Sequence, residues 1–258
     1  MLILLPPSET KRTGGTGEFD PARLSRDAIL GAPRAAVRAA LETVSADEEA
    51  AVRALKLGTK NRGEREHNLA LSTSGVMPVM DRYTGVLYDA LDAPSLDPAA
   101  REWLAAHVAV QSALFGVLGL GEEIPAYRVS AGSRLPELGS PLKRLWSDAH
   151  AELDWARAGL ILDLRSLDYV ALAPLPRDRG WFVHVSQRGD DGVVRALNHF
   201  NKAAKGDLVR RLARAGEDYE RVEDLLDWAT AEGLELTADP EARELTLITR
   251  LGAPARTS

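Results

Sequence analysis

Apolar residues in this chain fall into short runs separated by polar turns, and the period inside the runs changes along its length. Leu2–Leu5 is an unbroken apolar run closed by Pro6-Pro7, the pattern of a first strand buried on both faces. A polar stretch from Ser8 through Gly14-Gly15-Thr16-Gly17 follows and predicts an exposed loop. Helical spacing then predicts helices over 33–43 and 46–57, with Ser45 and Glu48 as a capping box for the second. Gly58 ends that helix, and another starts at Lys60 after a tight turn. Short helices are predicted over 83–91 and 99–106, strands over 108–116 and 127–130, and a long helix over 141–157. The run 159–164 (GLILDL) predicts a central strand. Residues 181–186 and 193–197 predict a hairpin around Arg188-Gly189-Asp190-Asp191-Gly192. Helices over 202–214 and 218–232 and strands over 233–237 and 243–250 complete the chain. The prediction is an α+β fold: one mixed α/β domain over 1–258, with 33–91 as a helical subdomain.

Bulk properties narrow the classes. The 258 residues are 45% hydrophobic with ordinary charge content, as expected of a globular protein. No run of about 18 apolar residues occurs, so no membrane span is expected. MLILLPP has no basic residue ahead of it and reads as a strand, not a signal peptide, which makes the cytoplasm the default location. With no cysteine, disulfides, thiol catalysis and cysteine-ligated metals are excluded. His67, His107, His150, His184 and His199 stand at no metal-ligand spacing, so no metal or cofactor is nominated. The net charge of −6 argues against coating nucleic acid over the whole surface. It leaves room for a local basic cleft, because residues 199–214 carry five Lys or Arg against one Asp.

Candidate chemistry concentrates in a few stretches. His199 to Gly206 joins a β-like run to a helix-like run and crowds Asn201, Lys202 and Lys205 onto a strand-to-helix junction, where anions bind readily. On a helical wheel Leu208, Val209 and Leu212 form the buried arc; Lys205 falls inside it, and Arg210, Arg211 and Arg214 fall mainly outside. An inward lysine either snorkels or holds something anionic. Ser8, Glu9 and Lys11 occupy a loop directly after a buried strand, where α/β sites commonly sit. Their Ser-x-x-Lys spacing lacks the companion motifs of penicillin-interacting enzymes. Asp163, Arg165 and Ser166, with Tyr169, suit either a solvent-facing strand or a polar cavity wall. Tyr127 and Arg128 suit either clamping a planar anionic group or core-edge packing. Gly116, Gly119 and Gly121 match no nucleotide fingerprint. Residues 57–62, with Lys60 and Arg62 after a glycine turn, resemble a helix-hairpin-helix, loosely because a second turn glycine is missing.

Taken together, LLPPSETK (4–11), YTGVLYDAL (83–91), SALFGV (112–117), IPAYRVS (124–130), LDLRSLDY (162–169) and NHFNKAAKG (198–206) resemble the YaaA family of peroxide-stress proteins, in its actinobacterial branch. The motifs run in order over most of the chain. The resemblance implies a mixed α/β fold with a helix-hairpin-helix-like insertion and a positively charged cleft that binds DNA. It also implies a role in hydrogen peroxide defence, with less free iron and less oxidative DNA damage. By motif it carries Ser8, Lys11, Tyr127, Arg128, Arg165, Tyr169, Asn201, Lys202 and Lys205 to the site, with Lys60 and Arg62 in the hairpin. The chain departs from many relatives at Gly119-Leu120, where they have Arg-Pro, and at Ser130, where they have an acidic residue.

The first expectation is therefore DNA binding, with Lys11, Lys60, Arg62, Arg128, Lys202 and Lys205 meeting phosphates and Tyr127 or Tyr169 stacking on an extruded base. The rival is an enzyme acting on a nucleobase, nucleotide or damaged DNA, with Lys205 or Lys11 as base or Schiff-base nucleophile and Ser166 assisting. A third expectation, iron sequestration, rests only on the stress role.

Overall fold

The computed structural model describes residues 1–188, 194–196 and 201–249. His199, the turn predicted over 189–192 and the strand-to-helix junction predicted over 197–200 lie outside the described residues.

The apolar runs form the strands, and the continuous ones occupy the middle of the sheet. Strand β1 (Leu2–Leu5) is followed by a two-residue strand β2 (Met77–Pro78), then β3 (Val108–Ser112), β4 (Gly116–Gly119) and the short β5 (Glu123–Ile124). The second half adds β6 (Ile161–Asp163), β7 (Trp181–Arg188), β8 (Val194–Ala196), β9 (Glu235–Asp239) and β10 (Glu244–Thr249). The main sheet has the order β4-β3-β1-β6-β7-β10-β9, with β8 beside β7, while β2 and β5 pair separately. Strands β3, β1, β6, β7 and β10 are mutually parallel along this order. All five residues of β3 and all three of β6 are buried, as apolar runs covered on both faces must be. Strands β9 and β10 alternate instead, because they form an antiparallel edge with one face towards solvent.

Ten α-helices surround the sheet among the described residues. The first half carries α1 (Asp27–Ala46), α2 (Glu48–Leu55), α3 (Arg65–Leu69), α4 (Val79–Arg82), α5 (Val86–Leu91) and α6 (Pro98–His107). The second half carries α7 (Leu142–Ala151), α8 (Leu167–Leu172), α9 (Asn201–Ala215) and α10 (Val222–Ala231). The buried arc of α9 is Ala204, Lys205, Gly206, Leu208, Val209, Leu212 and Ala213, as the wheel predicts. The two strands of the predicted hairpin, β7 and β8, pair antiparallel.

Several boundaries differ from expectation for identifiable reasons. Helix α1 begins at Asp27 and carries Pro33 in its second turn, so the proline does not mark its start. Ser45 does not cap α2; it is fully buried in the last turn of α1, and Asp47 is the cap, its carboxylate accepting from Ala50 N at 2.7 Å. The run 108–116 is two strands, with Ser112 Oγ accepting from Leu114 N and Phe115 N at the turn between them. The predicted helix over 141–157 stops at Ala151 and gives way to a 3-10 turn at Trp155–Ala158. Residues 59–64 form a 3-10 turn running into α3. Residues 127–130 are not a strand. Their backbone is gripped by a side chain: Asn68 Oδ1 accepts from Arg128 N at 2.7 Å, and Asn68 Nδ2 donates to Arg128 O at 3.0 Å. A buried amide thus supplies the two bonds a neighbouring strand would have made.

Candidate functional site

The strand order itself creates a crevice. After β1 the chain next joins the main sheet at β3, on one side; after β6 it next joins at β7, on the other. Strands β1 and β6 are adjacent and parallel, so the segments leaving their C-terminal ends diverge. A cleft of about 630 Å³ lies there. One wall is Pro6–Thr10 after β1, and another is Ser166, Asp168 and Tyr169 at the start of α8. Residues 84–88 around the start of α5, loop 130–132, Lys56 and Lys202 complete the lining. The lining is rich in hydroxyls, and Lys56 and Lys202 are exposed at it with no ion pair among the described residues.

Behind the β1 wall is a buried polar cluster. Lys11 Nζ donates to Ser8 O at 2.9 Å and Glu9 O at 3.2 Å, and lies 4.0 Å from the Tyr127 ring centre and 5.3 Å from that of Tyr83. Tyr83 Oη and Tyr127 Oη are 2.6 Å apart, and Tyr127 Oη lies 2.8 Å from Ser112 Oγ. Burial, with Arg128 nearby, lowers the Lys11 pKa to about 7; Glu64 and Glu9 oppose this shift. Burial also pushes the Tyr127 phenol up to about 12 and holds Tyr83, Tyr88 and Tyr169 above their usual range. Four of the chain's five tyrosines therefore gather here as neutral phenols.

Arg128 is not a free cation. Its guanidinium is buried between two carboxylates, with Nη2 to Glu9 at 2.8 Å and Nη1 to Glu64 at 3.0 Å. Arg165 is fully buried and forks onto Asp163, with Nε to Oδ1 at 2.8 Å and Nη2 to Oδ2 at 2.6 Å, while Nη1 donates to Ala173 O. The two charges, read as either a solvent-facing strand or a polar cavity wall, instead form an internal ion pair that braces the end of β6. Lys205 points inward, as the wheel predicts, and Nζ donates to Leu164 O at 2.9 Å. Burial lowers its pKa to about 8, against the opposing pull of Asp163.

The fold thus brings Ser8, Ser166, Tyr169 and Lys202 to the cleft and sets Lys11, Tyr127 and Arg128 behind its wall. Asn201 opens α9 beside Lys202. Lys60 and Arg62 stand apart, in the 3-10 turn; Lys60 is exposed, and Arg62 pairs with Glu48 and Glu49. Tyr127 is 2% exposed, so of the two rings expected to stack on a base only Tyr169 lines the cleft. Lys56, Thr84 and Gly85 are cleft residues that the sequence did not nominate. Asn68 and Arg82 were also missed, since a buried polar residue looks like a surface one in a single sequence.

A family model described as peroxide stress protein YaaA matches residues 1–239. The chain belongs to the YaaA family. It is similar to the UPF0246 protein of Corynebacterium glutamicum, at 40% identity over 253 residues, covering 96% of this chain and 100% of that protein. The UPF0246 proteins of Corynebacterium efficiens and Streptomyces coelicolor are 38% and 37% identical to this chain. The first match covers 96% of this chain and 100% of that protein, and the second 94% of each. Among the described residues of this YaaA-family protein, no helix is long and apolar enough to cross a membrane. No group of three or more His, Asp or Glu among them is placed to hold a metal ion, so iron sequestration gains no support from them.

Proposed function

We propose that this protein serves the peroxide-stress role of its family by binding DNA, or a nucleotide unit of it, at the cleft between the ends of β1 and β6. The observation that carries this reading is the cleft itself: about 630 Å³, lined with hydroxyls, with Lys56 and Lys202 exposed at it. A nucleotide offers a hydrogen-bonding base edge and an anionic phosphate, and a site of this size encloses a unit of that kind and not a duplex. Binding is local. Of the six cations expected to meet phosphates, Arg62 and Arg128 are in ion pairs and Lys11 and Lys205 face backbone carbonyls. The test is fluorescence anisotropy with labelled single-stranded and duplex DNA, comparing wild type with Lys56→Ala/Lys202→Ala. Binding weakened at least tenfold in the variant supports the reading, and equal binding by both proteins contradicts it.

A second reading, an enzyme acting on a nucleobase, nucleotide or damaged DNA, is favoured by one observation. Lys11 and Lys205 have pKa values lowered to about 7 and about 8, so about half of Lys11 and about a tenth of Lys205 is the nucleophilic neutral amine at pH 7. Borohydride should then trap wild-type protein on abasic DNA, and the adduct should be lost in whichever of Lys11→Ala and Lys205→Ala removes the nucleophile. Absence of a trapped adduct from wild type removes the Schiff-base form of this reading.

A further inference from the structure

Lys11 fixes the direction of two peptide planes. Its Nζ donates to Ser8 O at 2.9 Å and Glu9 O at 3.2 Å, so both carbonyls face inward, away from the cleft that Pro6–Thr10 lines. In a trans peptide the C=O and the following N–H point in opposite directions, and no cis bond occurs among the described residues. The N–H groups of Glu9 and Thr10 therefore point outward together, at a bend on Glu9. Neither has an acceptor among the described residues. Successive amide protons that aim the same way make an anion-binding concavity.

Hydroxyls stand beside these amides. Ser8 Oγ lies 3.2 Å from Thr10 Oγ1, and Thr84 Oγ1 donates to Thr10 Oγ1 at 3.0 Å. The two bonds use two of the three hydroxyl protons and leave the third to donate outward. Gly85 keeps this side open: a Cβ there would stand 3.3 Å from Ser8 Oγ and 3.5 Å from Thr10 Oγ1. A cation arrives from α9. Gly206 packs on Leu87 O and Arg210 Nη1 donates to Leu91 O, so α9 runs beside α5 in the same direction. Lys202, about one turn before Gly206, comes level with the start of α5 and lines the same cleft.

We propose that the outer side of Ser8–Thr10, with Thr84 and Lys202, seats a phosphate, and that the cleft prefers a strand or nucleotide whose phosphate is terminal. This rests on the reading that the cleft takes a nucleotide unit, and it names the part of that unit that the β1 wall holds. A terminal phosphate presents three unesterified oxygens and about two charges at neutral pH, against two oxygens and one charge for an internal one. Donors aimed at one point therefore hold the end more strongly than the middle of a strand. The carboxylates nearby have partners of their own: Glu9 meets Arg128 at 2.8 Å, and Asp89 Oδ1 accepts from Gly85 N at 3.2 Å. Asp168 belongs to the α8 wall. These acids offset much of the local positive charge, so the preference comes from the aimed donors and not from net charge.

The test is fluorescence anisotropy with a short, internally labelled single strand carrying a 5′-phosphate, a 3′-phosphate or neither, for wild type and Thr10→Val/Thr84→Val. Valine keeps the shape of threonine and removes the hydroxyl. Wild type should bind one phosphorylated form at least about tenfold more tightly than the unphosphorylated strand, and the variant should lose most of that ratio. Equal wild-type affinity for all three strands, or a ratio unaltered in the variant, overturns the seat while local binding at the cleft stands. Ser8→Ala, at the other end of the hydroxyl row, replaces the double variant if that one does not fold. If wild type binds none of the strands, the nucleic-acid reading fails, and calorimetry with a nucleoside 5′-monophosphate and its nucleoside decides the seat. Binding of the monophosphate but not the nucleoside, lost in the variant, supports it; any other result overturns it.

Discussion

Arg82 spends its whole guanidinium on backbone. Nε and Nη2 donate to Ile124 O at 3.0 and 2.9 Å, Nη1 to Arg12 O at 2.5 Å and Gly14 O at 3.0 Å, and Nη2 also to Gly75 O at 2.9 Å. Five N–H donors thus satisfy four carbonyls of three separate segments, at a side chain with no exposure. Burial lowers its pKa to about 10, still far above neutrality, so it is a cation in the folded protein. Arg82→Lys keeps the charge but cannot span those carbonyls. It should cost about 3 kcal/mol or more in denaturant unfolding, because buried acceptors lose their partners. A loss below about 1 kcal/mol would mean that the glycine-rich loop is held by something else. The sequence could not reveal this role: an Arg between Asp81 and Tyr83 looks like any charged helix position until the fold folds three loops around it.

The helices and strands show where sequence patterns carry over and where they stop. Continuous apolar runs became central parallel strands and alternating runs became the β9–β10 edge, since burial on two faces or one leaves different marks on composition. Residues 127–130 read as extended, but a strand also needs a partner; this one has Asn68 in place of a strand, a tertiary fact. A close crossing between helices α5 and α9 depends on a single residue of the lysine motif. A Cβ added at Gly206 would lie 2.1 Å from Leu87 O and 2.9 Å from Ala90 Cβ, so α9 crosses α5 nearly backbone to backbone. Gly206→Ala must push the two helices apart. It should destabilise the protein by about 1–3 kcal/mol, seen as a melting temperature lower by several degrees, and should displace Lys202 at the cleft. An unchanged melting temperature would show that the crossing is looser than described.

For the molecule as a whole, ion pairs neutralise the three arginines that the sequence nominates, Arg62, Arg128 and Arg165, and none of the four lysines among the described residues. A net charge of −6 is compatible with a basic cleft only if the local lysines and arginines are unpaired. Here Arg128 lies between Glu9 and Glu64, Arg165 on Asp163, and Arg62 beside Glu48 and Glu49. Most of the cleft lining falls in the quoted motifs, as five short segments from distant parts of the chain converge on the ends of β1 and β6, but Lys56 lies in none of them. The pairing of charges was not legible, since an ion pair across 119 residues, as between Glu9 and Arg128, leaves no local pattern. What remains at the cleft is Lys56 and Lys202, and that number makes a quantitative prediction about nucleic-acid binding.

The most direct measurement is the affinity for labelled single-stranded DNA across a range of salt concentrations, for wild type and for Lys56→Ala/Lys202→Ala. Each phosphate contact on a single strand contributes a slope of about −0.7 in log K against log salt. With two lysines the slope should be no steeper than about −2 and should approach zero in the double variant. A slope of about −4 or steeper, or one unaltered by removing both lysines, would contradict a local site at this cleft and point to a broad basic surface elsewhere.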